Sequence, residues 1–306
     1  MEILDDSAVR NVMGMSDAIS ALRESYSRSN ELDYPPRTLI RNSEQSATFG
    51  VMPIFSRLDN LFIVKVISHH ILNVSKGLSS INGVIVVQEG SNGQIKALLD
   101  ASTVTSLRTG ATAGLATDLL ARKDSKRLAV IGTGAQAMAA LEAVLCVRDI
   151  KDVAVYSRSK ENVRVFIERA VDRFSKNLTF NRCKDVRSAI KDADILCTAT
   201  TCAQPLFSSS DVLEGVHVNA IGKHTTVSRE FPIELVPRSI LMVEDRETAI
   251  REAGNYHYDS ISISEMLQQE YLKYQSKTTI FSSVGTAFQD ACICVAILKK
   301  LKLLEA

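Results

Sequence analysis

The segment Val130-Ile131-Gly132-Thr133-Gly134-Ala135-Gln136-Ala137 constrains this chain more than any other stretch. An apolar strand runs into a G-x-G-x-x-A turn, and an alanine-rich helix follows. Gly132 permits the tight turn, Gly134 lets a pyrophosphate approach the backbone, and Ala137 lets the helix lie close to the strand. Ala135 and Gln136 then open a helix whose N-terminus faces the phosphates. Context strengthens the motif: apolar runs at 128–132, 153–156, 178–180, 195–198, 216–221 and 240–243 alternate with longer helical stretches. That alternation marks parallel βαβ units, and six strands predict an α/β fold with a Rossmann-type doubly wound parallel sheet.

Upstream the texture differs. Short β-branched runs at 38–40, 49–52, 61–67, 83–88 and 95–99, separated by turns such as Ser91-Asn92-Gly93, predict a mostly antiparallel β region. Helical spacing predicts a helix from its N-cap Ser16 to Tyr26, and a stretch rich in Ala, Thr and Leu with only Arg108 and Asp118 charged predicts a closely packed helix over 103–120. A short strand at 279–282 leads into an amphipathic helix over 286–301. Because the glycine loop starts so late, the β-rich region is free to bind substrate. The expected organisation is 1–120 with 286–306 as one domain and 121–285 as the dinucleotide-binding domain.

Charge and composition exclude several classes. Lys plus Arg number 36 and Asp plus Glu 35, so the net charge of +1 provides no global pull toward nucleic acid or an anionic membrane. At 45% hydrophobic and 23% charged the chain is of globular type. Its longest apolar run, 291–298, is far short of the ~18 residues of a membrane span. The first residues are acidic where a signal peptide is basic, so a cytoplasmic protein is expected. Six cysteines without Cys-x-x-Cys spacing read as reduced thiols, and the adjacent His69 and His70 have no further ligand set, so no metal is expected. No G-x-S-x-G elbow, Walker loop or His-Glu-x-x-His motif is present, which removes the usual support for hydrolase and kinase readings.

The second strand of a dinucleotide fold normally ends in a carboxylate that binds the ribose of NAD. Here the sequence is Val155-Tyr156-Ser157-Arg158-Ser159. With no carboxylate to repel a 2′-phosphate, and with Arg158, Ser157 and Ser159 as donors, NADP(H) is the preferred cofactor and NAD(H) remains possible. The alternative is that Arg158 is a solvated loop residue.

Four further side chains are candidates. Lys65 lies in Phe62-Ile63-Val64-Lys65-Val66-Ile67, with apolar neighbours on both faces of the strand. It is either a buried lysine with an anionic partner or a catalytic task, or a residue of an exposed face. Arg108 is a cation among small helical residues, suited to a phosphate or carboxylate. Arg37, after Pro35-Pro36, is a carboxylate clamp or an ordinary surface residue. His224 follows the fifth strand at the edge where ligands of this fold bind, and structural and functional readings of it stand level.

Pro36-Arg37-Thr38, Met52-Pro53, Lys65, Asn73, Gly77-Leu78, Ser106-Leu107-Arg108-Thr109-Gly110-Ala111, Ile131 to Gln136, Asn219-Ala220-Ile221-Gly222 and Phe281 to Ala287 with Asp290 occur in one order. In that order they resemble the ornithine cyclodeaminase/mu-crystallin family over nearly the full length. The resemblance implies a dinucleotide-binding domain joined to a β-rich substrate-binding and dimerisation domain, hence a homodimer. It implies Arg37, Lys65 and Val284 as substrate-binding residues. Ser80, Arg108, Thr109, Gly132, Gly134, Ala135, Gln136, Thr198 and Ser283 match cofactor contacts, and Ser157, Arg158 and Ser159 match an NADPH pocket of the mu-crystallin type.

One departure bears on the chemistry. Cyclodeaminases carry an acidic general base after the glycine of the fifth-strand motif, where this chain has His224 in Lys223-His224-Thr225. Members lacking the acid include ketimine reductases. The expected activity is therefore NADPH-dependent reduction of a cyclic imino acid, with Lys65 and His224 as catalytic candidates. Ornithine cyclodeaminase, an amino-acid or opine-type dehydrogenase, and a non-catalytic NADPH-dependent binder are the alternatives.

Overall fold

The computed structural model describes residues 1–28, 32–44, 46–174 and 178–304. Its elements run β1 (Glu2–Leu4), α1 (Asp6–Val12), α2 (Met15–Ser27), β2 (Leu32–Asp33), β3 (Thr38–Arg41), β4 (Ala47–Ser56), β5 (Leu61–His70), β6 (Ile81–Glu89), β7 (Ile95–Asp100) and α3 (Ala101–Leu120). They continue with β8 (Arg127–Ile131), α4 (Ala135–Val147), β9 (Asp152–Tyr156), α5 (Lys160–Arg173), β10 (Thr179–Arg182), α6 (Val186–Ile190), β11 (Ile195–Thr198) and β12 (His217–Ala220). The last are β13 (Ile240–Val243), α7 (Arg246–Ala253), β14 (Ile261–Ser262), α8 (Ile263–Leu267), β15 (Thr279–Ser282) and α9 (Ala287–Lys300). Two compact units result, 1–108 with 286–306, and 109–285. The division falls inside α3, earlier than the boundary near residue 120 read from the sequence.

The first unit is built on a sheet ordered β1-β7-β6-β5-β4-β2, with β3 also pairing with β4. Its pairs are antiparallel except β1 with β7. Period-two alternation sets its faces. On β5, Leu61, Ile63 and Lys65 are buried while Phe62, Val64 and Val66 point the other way. Register places Lys65 between Met52 of β4 and Ile85 of β6, both buried. Helix α9 packs on β4 and β5 and against α2, where the Tyr26 and Phe288 rings lie 4.6 Å apart.

The start of the chain differs from the sequence reading. β1 and α1 precede the expected first helix, and Asp5 caps α1 by accepting from the Ala8 N–H at 2.8 Å. Helix α2 begins at Met15 behind Gly14, so Ser16 is an interior residue and not the N-cap. Burial explains the shift: Met13 and Met15 are both buried, and packing Met15 into the first turn outweighs a serine cap worth about 1 kcal/mol.

The second unit carries an eight-stranded sheet ordered β10-β9-β8-β11-β12-β15-β13-β14, with every pair parallel. The chain winds outward from β8 in both directions, so the carboxyl ends of β8 and β11 flank the switch point. Two strands join the six expected of this sheet: β14, which the sequence reading did not include, closes one edge, and the strand expected at 279–282 inserts as β15 between β12 and β13. β15 is buried throughout, which suits the apolar Thr279-Ile280-Phe281 for an interior place. Leu196, Val218, Phe231, Leu235 and Ile280 form the core on one face of this sheet. At the C-terminus of α3, the Arg148 guanidinium donates to the carbonyls of Thr117 and Ala121, both at 2.8 Å. No helix among the described residues is long and apolar enough to cross a membrane.

Candidate active site

The glycine loop lies between β8 and α4. Gly132 has φ +110°, and a Cβ there would meet the Ala199 carbonyl oxygen at 2.4 Å, so both conformation and space demand glycine. Gly134 differs: a Cβ would meet nothing within 4 Å. That open side is where the motif needs a bare backbone. Gly134 is also the N-cap of α4 and supplies no side-chain acceptor, so the positive end of a 13-residue helix is left for an anion. Gln136 carries a buried Oε1 with no hydrogen-bond partner among the described residues. Ala137 is fully buried, as the close helix-to-strand contact requires. An orphaned acceptor, an uncapped helix and a cradle without Cβ atoms fit a dinucleotide.

Past the end of β9, Arg158 is exposed and has no ion pair among the described residues, while Ser157 is half-buried. Ser159 is the N-cap of α5, its Oγ accepting from the Asn162 N–H at 3.2 Å. Arg182, unnoticed in the sequence, closes the neighbouring strand in register with Val155. The edge therefore carries two cations, Arg158 and Arg182, where NAD-specific folds place a carboxylate.

Two expected cofactor residues turn out to hold protein groups. The Thr198 hydroxyl donates to Glu230 at 2.8 Å, and the Ser283 hydroxyl to Glu244 at 2.5 Å. Glu244 also accepts from the backbone N–H groups of Val284 and Gly285, both at 3.1 Å, and so fixes the loop after β15. Both glutamates are buried. The sequence reading missed them because a carboxylate in a loop has no local signature of burial. Thr109 is buried on α3.

His224 is buried, with its ring 5.5 Å from that of Phe231. Neither ring nitrogen has a well-formed hydrogen bond among the described residues, the Gly222 backbone giving only a weak favourable contact. Burial above all, then the neighbouring His257 and Arg229, lowers its pKa to about 3. Such a ring is neutral at physiological pH, which speaks against the proton-donor role considered from the sequence.

In the first unit Lys65 is on the buried face, with 2% of its surface exposed. Its Nζ lies 2.5 Å from Asp290 Oδ2 and 3.5 Å from Thr105 Oγ1. Asp290 sits in the first turn of α9. Arg108, also buried, reaches the same carboxylate at 3.3 Å and donates to Gln289 Oε1 at 3.0 Å. Arg37 is half-buried and near enough for its charge to act on Lys65. Burial, opposed by Asp290 and reinforced by Arg108 and Arg37, brings the Lys65 pKa down to about 8. Ser80 is half-buried in the turn after β5, and Val284 is half-buried in the loop after β15. Asp290 was visible in the sequence as part of a motif, but its role as the counter-ion of Lys65 was not.

A family model described as ornithine cyclodeaminase/mu-crystallin matches residues 2–303. The chain is 30% identical to a Delta(1)-pyrroline-2-carboxylate reductase of Bacillus cereus, over 96% of this chain and 94% of that protein. It is 28% identical to the ketimine reductase mu-crystallin of Rattus norvegicus, over 84% and 81%. Among solved structures, the Delta(1)-pyrroline-2-carboxylate reductase of Thermococcus litoralis, in complex with NADH and L-proline, superposes with a TM-score of 0.88 at 28% identity, covering 99% of this chain and 98% of that one. With the family's motifs in order and its model matched almost end to end, the chain belongs to the ornithine cyclodeaminase/mu-crystallin family.

Proposed function

We propose that this chain is an NADPH-dependent reductase of cyclic imino acids, converting Δ1-pyrroline-2-carboxylate or Δ1-piperideine-2-carboxylate to proline or pipecolate. Its class is that of NAD(P)H-dependent oxidoreductases acting on C=N groups. The observation that supports the finer reading is Lys65, buried against the Asp290 carboxylate that Arg108 also reaches, with half-buried Arg37 near enough for its charge to act on Lys65. The carboxylate of an imino acid is the kind of group that such cations bind.

Arg37 and Lys65 bind the substrate carboxylate. When bound, the reduced nicotinamide supplies the hydride that goes to the imine carbon. Lys65 gives a proton to the imine nitrogen as the C=N double bond becomes single, and takes one back from solvent afterwards. A pKa of about 8 suits that work, because the ammonium is populated at neutral pH and still releases its proton readily. The lyase alternative requires a base where this chain has His224, whose burial-lowered pKa of about 3 makes it a weak one.

Preference for NADPH rests on Arg158, with Ser157 and Arg182 beside it. A homodimer is supported by the outer face of the first unit's sheet, where Phe49 and Phe62 are exposed and Val51, Val64 and Val66 are half-buried.

Following nicotinamide absorbance against a panel of cyclic imines tests the reading, with pyruvate plus ammonia and ornithine as competing substrates. Turnover of a cyclic 2-carboxylate imine with consumption of NADPH is expected. No turnover on any imine defeats the proposal, and ammonia release from ornithine with catalytic nucleotide replaces it with the lyase.

A further inference from the structure

The carboxyl ends of β11 and β12 are joined by more than their ladder. Beyond the strands, the Ile221 N–H donates to the Thr198 carbonyl at 3.0 Å and the Lys223 N–H to the Thr200 carbonyl at 3.1 Å, so the two exit loops stay paired. Into this junction projects Glu230, fully buried. Its Oε2 accepts from the Thr198 hydroxyl and the Gly222 N–H, both at 2.8 Å, and its Oε1 from the Thr200 N–H at 2.7 Å and the Thr200 hydroxyl at 2.6 Å. Four donors meet the roughly four acceptor sites of one carboxylate.

Two glycines record how tightly this arrangement is built. A Cβ on Gly222 would lie 2.5 Å from the Glu230 carboxylate. Across the switch point, a Cβ on Gly132 would strike the Ala199 carbonyl, and Ala199 belongs to the Thr198–Thr200 stretch that Glu230 holds. The first glycine of the phosphate-binding turn thus packs on a segment whose position Glu230 fixes from behind.

We infer that Glu230 is the positioning residue of the dinucleotide crevice: by holding the exit loops of β11 and β12 it sets the wall against which the glycine loop rests. The inference rests on nucleotide binding at this sheet edge, and it is independent of which imino acid is reduced. Glu230→Gln is the sharp variant. An amide at this place turns a donor toward either the Gly222 N–H or the Thr200 N–H, so one backbone donor is forced out of its bond.

The experiment measures NADPH and NADH dissociation from the full-length protein by nicotinamide fluorescence, well below its melting temperature and without imino acid. Nucleotide KM, kcat at saturating nucleotide and Tm follow on the same samples. Expected for Glu230→Gln is a rise in nucleotide Kd and KM of about tenfold, with kcat changed far less. Gly222→Ala, which displaces the carboxylate without touching its charge, reproduces the rise. Thr200→Val removes the hydroxyl's bond to Glu230, together with the one it accepts from the Cys202 N–H at 3.1 Å, and serves if Glu230→Gln does not fold; it raises Kd by about threefold. Unchanged nucleotide affinity in the folded variants, with only Tm lowered, overturns the proposal. A wild-type protein that binds nucleotide but reduces no imine defeats the functional reading and leaves this one standing.

Discussion

The two units bury charge in opposite ways. In the first, one buried carboxylate, Asp290, faces Lys65 and Arg108, and Arg37 adds its field. In the second, the buried carboxylates of Glu230 and Glu244 are met by hydroxyl and backbone donors, four for the former and three for the latter. A buried charge is tolerated only when paired or fully hydrogen-bonded. The carboxylates of the second unit satisfy that condition within the protein, so their role is to hold backbone in place. The cations of the first unit gather at one carboxylate, and the proposed binding of a substrate carboxylate rests on that arrangement.

The strongest way to break this contrast is to remove the cation at its centre. Lys65→Ala is expected to lower kcat/KM for imine reduction by about 10²–10⁴-fold while nucleotide affinity in the second unit stays near wild type. Steady-state kinetics beside a fluorescence titration with NADPH checks both halves. In the intact protein the same lysine predicts an alkaline limb. Its folded pKa of about 8 lies below the ordinary 10.5, so the proton donor is lost as pH rises past about 8 and the rate falls about tenfold per unit beyond it. Stability runs the other way: between about 8 and 10.5 the unfolded chain holds a proton that the folded chain does not, so this group's contribution grows with pH across that window.

Asp290→Asn attacks the cluster from its other side. Lys65 and Arg108 then lose the buried carboxylate they share, and a loss of roughly 3–5 kcal/mol of stability is expected in urea denaturation. The alkaline limb should also move to lower pH, because the one group raising the Lys65 pKa by charge is gone. A limb that stays in place would show that Lys65 is not the titrating acid.

How far these features could be read in advance follows from their range. The glycine loop, the alternating strands and the final helix are encoded in runs of five to fifteen residues, and local pattern suffices to see them. Lys65 announced itself by standing in an apolar strand. Its partner did not, because Asp290 is brought to it by the packing of α9 on β5, a contact between distant parts of the chain. The same holds for Glu230, which looks like an ordinary loop acid until the Gly222 and Thr200 amides are seen to converge on it. Ser16 misled for the converse reason: a good local cap yielded to the burial of Met13 and Met15. β15 was visible as a strand, but its insertion between β12 and β13 is a property of the sheet as a whole.

On the second unit, Arg158→Ala sharpens the comparison at moderate cost. An exposed cation beside a 2′-phosphate contributes one charge-assisted contact, so the preference for NADPH over NADH should fall by about tenfold, with kcat for NADH unchanged. The ratio of kcat/KM values for the two nucleotides is the readout. An unaltered ratio would make Arg158 a solvated loop residue and shift attention to Arg182.

The smallest effect is expected where the sequence drew most attention to a catalytic base. His224 is buried against Phe231, and beyond that burial the nearby Arg229 and His257 disfavour a positive charge on its ring. His257 is itself held neutral by burial, its pKa lowered to about 4. Neither ring therefore carries a proton to give across the range where the enzyme works. His224→Gln, which keeps a polar group of similar reach, is expected to change kcat/KM at neutral pH by less than about threefold and to leave the pH profile between about 5 and 8 as it was. Were His224 the proton donor, the variant would lose about a hundredfold and an ionisation would vanish from the profile. That outcome would return the acid to the second unit and end the division of labour in which one unit supplies reactive charge and the other supplies shape.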